Sequence, residues 1–260
     1  MATRHAGSVR HAKIASMKVA VILPAAGLGT RMGRTSAEKA GTSRKQFMLL
    51  DGAPILLHSV RKFAASARVD EIVVAVRRED LEWVAELLER EVRGKKVRVV
   101  EGGNSRQQSV ENALAALDPD TTLVAVHDAV RPFIDPETID KVIDEAAETG
   151  AAIVGIVPVD TVKQVARAQT DKAKIRATLP REKLVLAQTP QVFRYDLLVR
   201  AFAAAQSDGF TGTDESSLVE RLEVDVSVVL GSDRNIKITK PSDMDLARLF
   251  LEEETAPREL

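Results

Sequence analysis

Lys18-Val19-Ala20-Val21-Ile22-Leu23, running into Pro24-Ala25-Ala26-Gly27-Leu28-Gly29-Thr30-Arg31-Met32-Gly33, decides how this chain folds. After Lys18, the run Val19–Leu23 is apolar without alternation and rich in β-branched residues, as in a strand buried on both faces. The small residues behind them let backbone approach a ligand closely, and successive N–H groups there can cradle phosphate. A dinucleotide-binding loop reads G-x-G-x-x-G, whereas Gly27, Gly29 and Gly33 give G-x-G-x-x-x-G with Arg31 inside. A plain strand-to-turn junction would account for the glycines alone. Arg31, with Lys45 beyond a charged loop, tips the reading toward a triphosphate, because basic side chains neutralise charge growing on a phosphoryl group.

Outward from that strand the pattern repeats. Strands are expected at Asp70–Val76, Lys96–Val100, Thr122–Val126 and Ala151–Val157, separated by helices at Pro54–Ser66, Glu79–Val92, Ser105–Leu117 and Pro136–Thr149. Such alternation predicts an α/β fold: a mostly parallel, Rossmann-like sheet covered by helices on both faces. Thr161–Ala166 and Lys174–Leu179 then read as two polar strands around the hydrophilic turn Arg167–Lys172, a hairpin projecting from the body. Helices near Tyr195–Ala205 and Asp214–Leu222, strands Val226–Leu230 and Ile236–Ile238, and a helix from Pro241 complete the expectation.

Composition narrows the chemistry. The 260 residues contain no Cys and 4 His, which excludes disulfides, thiolate metal sites and a cysteine nucleophile. Two histidines, His5 and His11, precede the first strand, leaving His58 and His127. The working groups are therefore expected to be carboxylates, Lys, Arg and backbone amides. A formal net charge of -1 and 3% aromatic residues argue against a nucleic-acid partner. Uncharged runs such as Val19–Thr30 fall short of the roughly 18–20 residues that span a bilayer, so no membrane partner is expected. Residues 1–16 lack the apolar stretch of a secretory signal and are expected to be a disordered or non-native-start tail, with 17–254 forming one cytoplasmic domain.

Two further clusters sit at strand ends. In Glu101-Gly102-Gly103-Asn104-Ser105-Arg106-Gln107-Gln108-Ser109, the paired glycines admit a flat ring, and Asn104 or Ser105 could cap the following helix; a well-capped turn explains the same residues. In His127-Asp128-Ala129-Val130-Arg131-Pro132, the acid is placed to hold a divalent cation bridging phosphates, while a buried Asp128–Arg131 pair is the structural alternative. His127 reads as a packed strand-end histidine. These clusters share the edge where open α/β sheets bind ligands.

The glycine loop with Arg31, Lys45-Gln46-Phe47, Gly102-Gly103 through Ser109-Val110, His127-Asp128-Ala129 with Arg131-Pro132, Asp160-Thr161 with Lys163, Gln188-Thr189-Pro190-Gln191, Thr213-Asp214-Glu215 and Asn235-Ile236-Lys237 occur in an order that resembles the 2-C-methyl-D-erythritol 4-phosphate cytidylyltransferase family. The resemblance runs from about Lys18 to the last helix. It implies transfer of CMP from CTP to the phosphate of methylerythritol phosphate, with release of pyrophosphate, in the non-mevalonate route to isoprenoid precursors. It implies catalytic roles for Arg31, Lys45, Arg181 and Lys237. The nucleotide would be held by Pro24, Ala25, Ala26, Gly27, Gly29, Gly103, Asn104 and Ser109, with Asp128, Ala129 and Arg131 beside the ribose and Mg2+, Asp128 serving as the metal ligand. Thr161, Thr189, Arg181 and Lys237 would bind the acceptor. Residues 160–182 would form the arm of a homodimer, carrying Arg181 to the partner's site.

Two departures stand out. The loop between Met32 and Lys45 is longer than in compact members, which makes Lys39 a rival to Lys45, and the approach to Asp160-Thr161 is one residue tighter. The nearest alternative activity is cytidylyl transfer to ribitol 5-phosphate. A nicotinamide oxidoreductase is opposed by the glycine spacing, and a catalytically dead nucleotide-binding regulator by the presence of Arg31, Lys45, Asp128 and Lys237.

Overall fold

A strand that is apolar on both sides must be covered on both sides, and the first strand shows how. The computed structural model describes residues 17–27, 44–166 and 172–255. In it β1 (Val19–Pro24) sends Val21 and Leu23 to one face and Ala20 and Ile22 to the other, following the two-residue period of a strand. A small hairpin, β2 (Leu49–Leu50) and β3 (Ala53–Pro54), turns through Asp51 and Gly52, both at positive φ. Then α1 (Ile55–Ala64), β4 (Glu71–Val76), α2 (Leu81–Glu91), β5 (Lys96–Glu101), α3 (Arg106–Ala115), β6 (Leu123–Val126), α4 (Pro136–Thr149) and β7 (Ala151–Ile156) alternate as the sequence predicts.

Helix ends carry the expected chemistry. Asp135 caps α4 by accepting from the Thr138 amide at 2.8 Å, Pro136 opens it, and Gly150 closes it at φ +95°. The two covered faces follow from the strand alternation. Leu56, Val60 and Phe63 of α1, Leu88 of α2 and Val142 of α4 pack with Val21, Leu23 and Val74. On the opposite face Val110 and Leu114 of α3 pack with Ile22 and Val73. Each fully buried aliphatic or phenyl side chain of this kind contributes about 1.5–3 kcal/mol.

The second half follows with β8 (Lys163–Val165) and β9 (Ile175–Thr178), an antiparallel pair outside the main sheet. The chain continues through β10 (Leu186–Arg194), α5 (Tyr195–Ser207), α6 (Glu215–Glu220), β11 (Ser227–Leu230) and α7 (Pro241–Thr255). The central sheet has the order β11-β7-β10-β6-β1-β4-β5, parallel except for β10, which runs antiparallel between β6 and β7.

One strand was not foreseen and one expectation is corrected. The sequence carries no sign of a strand at 186–194, because Gln188-Thr189-Pro190-Gln191 has the composition of a turn and Pro cannot donate to a ladder. β10 accommodates it with a register shift between Ala187 and Gln191, which leaves Gln188, Thr189 and Pro190 out of the pairing with β7. Ile236–Ile238, expected as a strand, is irregular; the Ile238 amide donates to the Val130 carbonyl at 2.9 Å and ties this segment to the chain beyond β6. Ile238, Val130, Phe133 and Met244 of α7 fill a third apolar cluster that holds the two segments together.

Candidate active site

The carboxyl ends of β1, β4, β5 and β6 open onto one cavity of about 670 Å³. Its walls are Pro24–Gly27 after β1, Arg77–Glu79 after β4, Glu101–Arg106 after β5 and Asp128–Val130 after β6, with Lys45, Gln46, Ser109 and Lys237 completing it. Three of the segments singled out by sequence therefore meet. Gly29, Arg31 and Lys39 lie outside the described residues, as do residues 1–16 and part of the hairpin turn, 167–171.

The backbone loops are fixed from beneath. Gln46 is buried and donates to the carbonyls of Ala25 at 2.6 Å and Gly27 at 3.0 Å, holding the end of the first loop beside Lys45. Gly102 donates to the Val76 carbonyl at 2.6 Å, and a Cβ there would meet the Ala26 Cβ at 2.7 Å. Glycine is thus required where the β1 and β5 loops touch. The Gly103 amide donates to Ser109 Oγ at 3.0 Å, the Asn104 amide to Gln108 Oε1 at 2.8 Å, and Ser105 caps α3 by accepting from the Gln108 amide at 3.0 Å. The capped-turn reading and the cavity-wall reading of this segment both hold.

Charge is concentrated at the floor. Asp128 Oδ1 accepts from Arg106 Nε at 3.1 Å; its Oδ2 lies 2.8 Å from Lys237 Nζ and 3.5 Å from Arg131 Nε. Burial alone would raise the Asp128 carboxyl, but the positive charges of Arg106, Lys237 and Arg131 outweigh it and hold the group well below the usual carboxylate range. Arg106 also reaches away from the cavity: Nη1 and Nη2 donate to Glu215 Oε1 at 2.7 Å and Oε2 at 2.9 Å, a two-pronged pair. Burial raises the Glu215 carboxyl and Arg106 opposes that rise. For Arg106 itself burial is unfavourable, yet the two carboxylates raise its hold on the proton. The Asp128–Arg131 pair foreseen as a structural alternative is present, and Arg131 does not line the cavity; its Nη1 donates to the Asn235 carbonyl at 2.6 Å.

Behind the floor lies a hydrogen-bond chain of fixed direction. The Arg131 carbonyl can only accept, so His127 donates to it from Nε2 at 2.9 Å. His127 Nδ1 must then accept from the Thr189 hydroxyl at 3.1 Å, whose oxygen accepts from the Asp128 amide at 3.0 Å. Burial pushes the imidazole down to about 4, so the ring is neutral at pH 7. It packs edge-on against Phe63 at 4.8 Å between centroids, as expected of a strand-end histidine. Thr189 is buried and does not line the cavity.

β10 supplies the rest of the scaffold, and sequence reasoning missed it. Asn235 donates to Gln188 Oε1 at 3.0 Å and to the Thr189 carbonyl at 2.9 Å, which sets the segment carrying Lys237. Gln191 donates to Asp214 Oδ2 at 2.7 Å and accepts from the Ser216 amide at 3.0 Å, which sets the start of α6 and with it Glu215. Arg106 and Glu215 received no role from sequence; the signal that could have found them is a cation opening a helix behind a glycine pair and an acid just behind a helix cap.

Thr161 and Arg181, near the two ends of the arm, are exposed and do not line this cavity. Arg181 Nη1 donates to the Val159 carbonyl at 2.6 Å. Among the described residues no helix is long and apolar enough to cross a membrane.

Known proteins resemble the chain over nearly all of its length. The family profile described as 2-C-methyl-D-erythritol 4-phosphate cytidylyltransferase matches residues 19–253. A protein of that name from Solibacter usitatus (strain Ellin6076) is 74% identical over 240 residues, covering 92% of this chain and 98% of that protein. Another, from Acidobacterium capsulatum, is 52% identical over 241 residues, covering 92% and 100%. The crystal structure of 4-diphosphocytidyl-2C-methyl-D-erythritolsynthase from Anaerococcus prevotii DSM 20548 superposes with a TM-score of 0.79 at 30% identity, covering 93% of this chain and 99% of that one. That of 2-C-methyl-D-erythritol 4-phosphate cytidylyltransferase from Thermus thermophilus gives 0.71 at 31% identity, covering 90% and 98%.

Proposed function

The chain belongs to the 2-C-methyl-D-erythritol 4-phosphate cytidylyltransferase family, and from that premise we propose how its residues share the work of the reaction. It is a nucleotidyltransferase of isoprenoid precursor biosynthesis, passing CMP from CTP to the phosphate of methylerythritol phosphate. A phosphate oxygen of the acceptor attacks the α-phosphorus, the bond from that phosphorus to the bridging oxygen breaks, and pyrophosphate leaves.

The step brings two highly charged phosphates together, so positioning and charge compensation are the protein's main tasks. The observation that carries the assignment is the cation-ringed Asp128 on the floor of the cavity that Lys45 also lines. Lys45, with Arg31, stabilises charge on the triphosphate in the transition state, and Lys237 meets the acceptor phosphate. The small-residue loop Pro24–Gly27, with Gly29, Gly103, Asn104 and Ser109, holds the cytidine. Asp128 and Ala129 face the ribose; the Ala129 carbonyl is pinned by Ser59 Oγ at 3.0 Å, and Arg131 braces Asp128 from behind. Thr189, which does not line the cavity, acts on the site indirectly by accepting from the Asp128 amide.

Mg2+ fits this floor as a partner of the triphosphate. Among the described residues no cluster of three or more His, Cys, Asp or Glu is assembled for a metal, but Mg2+ commonly takes one or two carboxylates and completes its shell with phosphates and water. Asp128 is the carboxylate available for that, and the ion would neutralise charge on the phosphates.

The arm is assigned to a homodimer. Thr161 and Arg181 are exposed and do not line their own chain's cavity, while Val159 and Ile175 beside them expose apolar side chains. These features support an arm that completes a second copy's site. The same reading makes 17–254 one nucleotidyltransferase domain, and its multiply charged substrates support a cytoplasmic place of action.

The test is pyrophosphate release by the purified protein with CTP, Mg2+ and either acceptor. Turnover with methylerythritol phosphate is expected. Turnover with ribitol 5-phosphate alone, an acceptor to which the relatives above lend no support, would overturn the acceptor. CTP binding without pyrophosphate release would leave a regulator instead.

A further inference from the structure

Glu215 is a buried acid that the reaction as described does not use. It is 1% exposed, lies outside the cavity lining, and stands at the first position of α6, behind the cap residue Asp214. A lone carboxylate would not remain ionised at such a depth without a partner. The partner is Arg106, which meets it with both terminal nitrogens at 2.7 and 2.9 Å. Two nearly parallel hydrogen bonds fix the plane of a guanidinium as a single one cannot.

That plane has a consequence at the cavity. With both terminal nitrogens turned to Glu215, the remaining Nε of Arg106 points at Asp128 Oδ1, 3.1 Å away. Arg106 thus takes one oxygen of Asp128 and leaves Oδ2 to Lys237 at 2.8 Å. Freed from Glu215, the guanidinium could turn its own fork onto Asp128 and compete for Oδ2, or swing into the space that the nucleotide fills. Glu215 is itself held from a distance, because Gln191 of β10 grips both Asp214 and the Ser216 amide.

We propose that Glu215 is a positioning residue for nucleotide binding, acting through Arg106 to fix how the Asp128 carboxylate is shared at the cavity floor. The proposal rests on the reading of this cavity as the CTP site.

The experiment compares CTP affinity by titration calorimetry, without acceptor, for the wild type, Glu215→Gln, Arg106→Met and the double variant. Wild-type binding tests the site itself; absence of CTP binding there would sink the functional reading and leave nothing for Glu215 to act on. Given wild-type binding, Glu215→Gln should weaken CTP on the order of 10- to 100-fold, by analogy with the cost of removing residues that orient metal-ligating side chains. In the Arg106→Met background the same change should cost less than about twofold, because Arg106 carries the effect. A Glu215→Gln protein that binds CTP like the wild type would overturn the proposal. So would equal losses in both backgrounds, since a packing role would be additive. Should Glu215→Gln not fold, Arg106→Met against the double variant decides alone, because the double variant leaves no unpaired charge at depth. Equal affinity supports the relay, and a further tenfold loss refutes it.

Discussion

Two regions of this molecule use the same residue types in opposite ways. At the cavity floor Arg106, Arg131 and Lys237 surround a buried carboxylate, and each is held by a named partner. On and beside the arm, Lys163, Arg181 and Thr161 stand in water, with Lys163 bonded to Thr178 at 2.7 Å and Arg181 to a backbone carbonyl. The floor charges are held by contacts within the protein itself, and fixed charges work best on a transition state. The arm carries groups of equal chemical capacity that, among the described residues, do not line the cavity at the sheet edge. On the homodimer proposed above, burial and mutual contact, rather than residue type, would separate a finished half-site from one completed by a partner.

The contrast can be broken most severely at Lys45, which lines the finished half. Lys45→Ala, like Arg31→Ala, should lower kcat by about 10²–10³ with the fold intact, the scale for losing one charge-stabilising group. Steady-state kinetics beside a thermal melt checks this, and an unchanged kcat would remove Lys45 from the mechanism. Asp128→Asn should cost about 3 kcal/mol of unfolding free energy in urea, the low end for removing one member of a buried ion pair, since Arg106 and Lys237 keep some access to water.

The histidine behind the floor makes a pH prediction. His127 titrates at about 4 in the folded protein against 6.5 when unfolded, so acid favours the unfolded chain between those values. Stability present above pH 6.5 should therefore fall by about 3 kcal/mol as the pH drops toward 4, an order-of-magnitude figure from the two pKa values. Melting temperatures of the wild type and His127→Gln across that window check it; parallel slopes would contradict the burial argument. The smallest effect on stability belongs to the arm. Arg181→Ala should change unfolding free energy by less than about 0.5 kcal/mol, as for other exposed sites, yet raise the KM for the acceptor.

Much of this was legible in the sequence, for reasons tied to range. β1, β4, β5 and β6 and the helices between them announce themselves through local periodicity, and the glycine pair and Asp128 sit at strand ends that topology alone brings to one edge. β10 was hidden because its Pro and two Gln have the composition of a turn, and its place between β6 and β7 comes from pairing with distant segments. The Arg106–Glu215 pair spans 109 positions, and no local pattern encodes such a meeting. Lys237 was visible as a site residue only through family resemblance, since its segment follows a strand pattern yet is held by long-range contacts of Asn235 with β10 and of Ile238 with Val130.

The claim that the floor serves its own chain while the arm serves its partner is tested most directly by mixing two damaged proteins. Lys45→Ala spoils a floor and Arg181→Ala spoils an arm, so a mixed dimer of the two would hold one doubly damaged site and one intact site. Random exchange of subunits should then restore pyrophosphate release to about a quarter of the wild-type rate, as a two-fold dimer with a shared site requires. Activity no greater than the sum of the two variants measured alone would contradict the account.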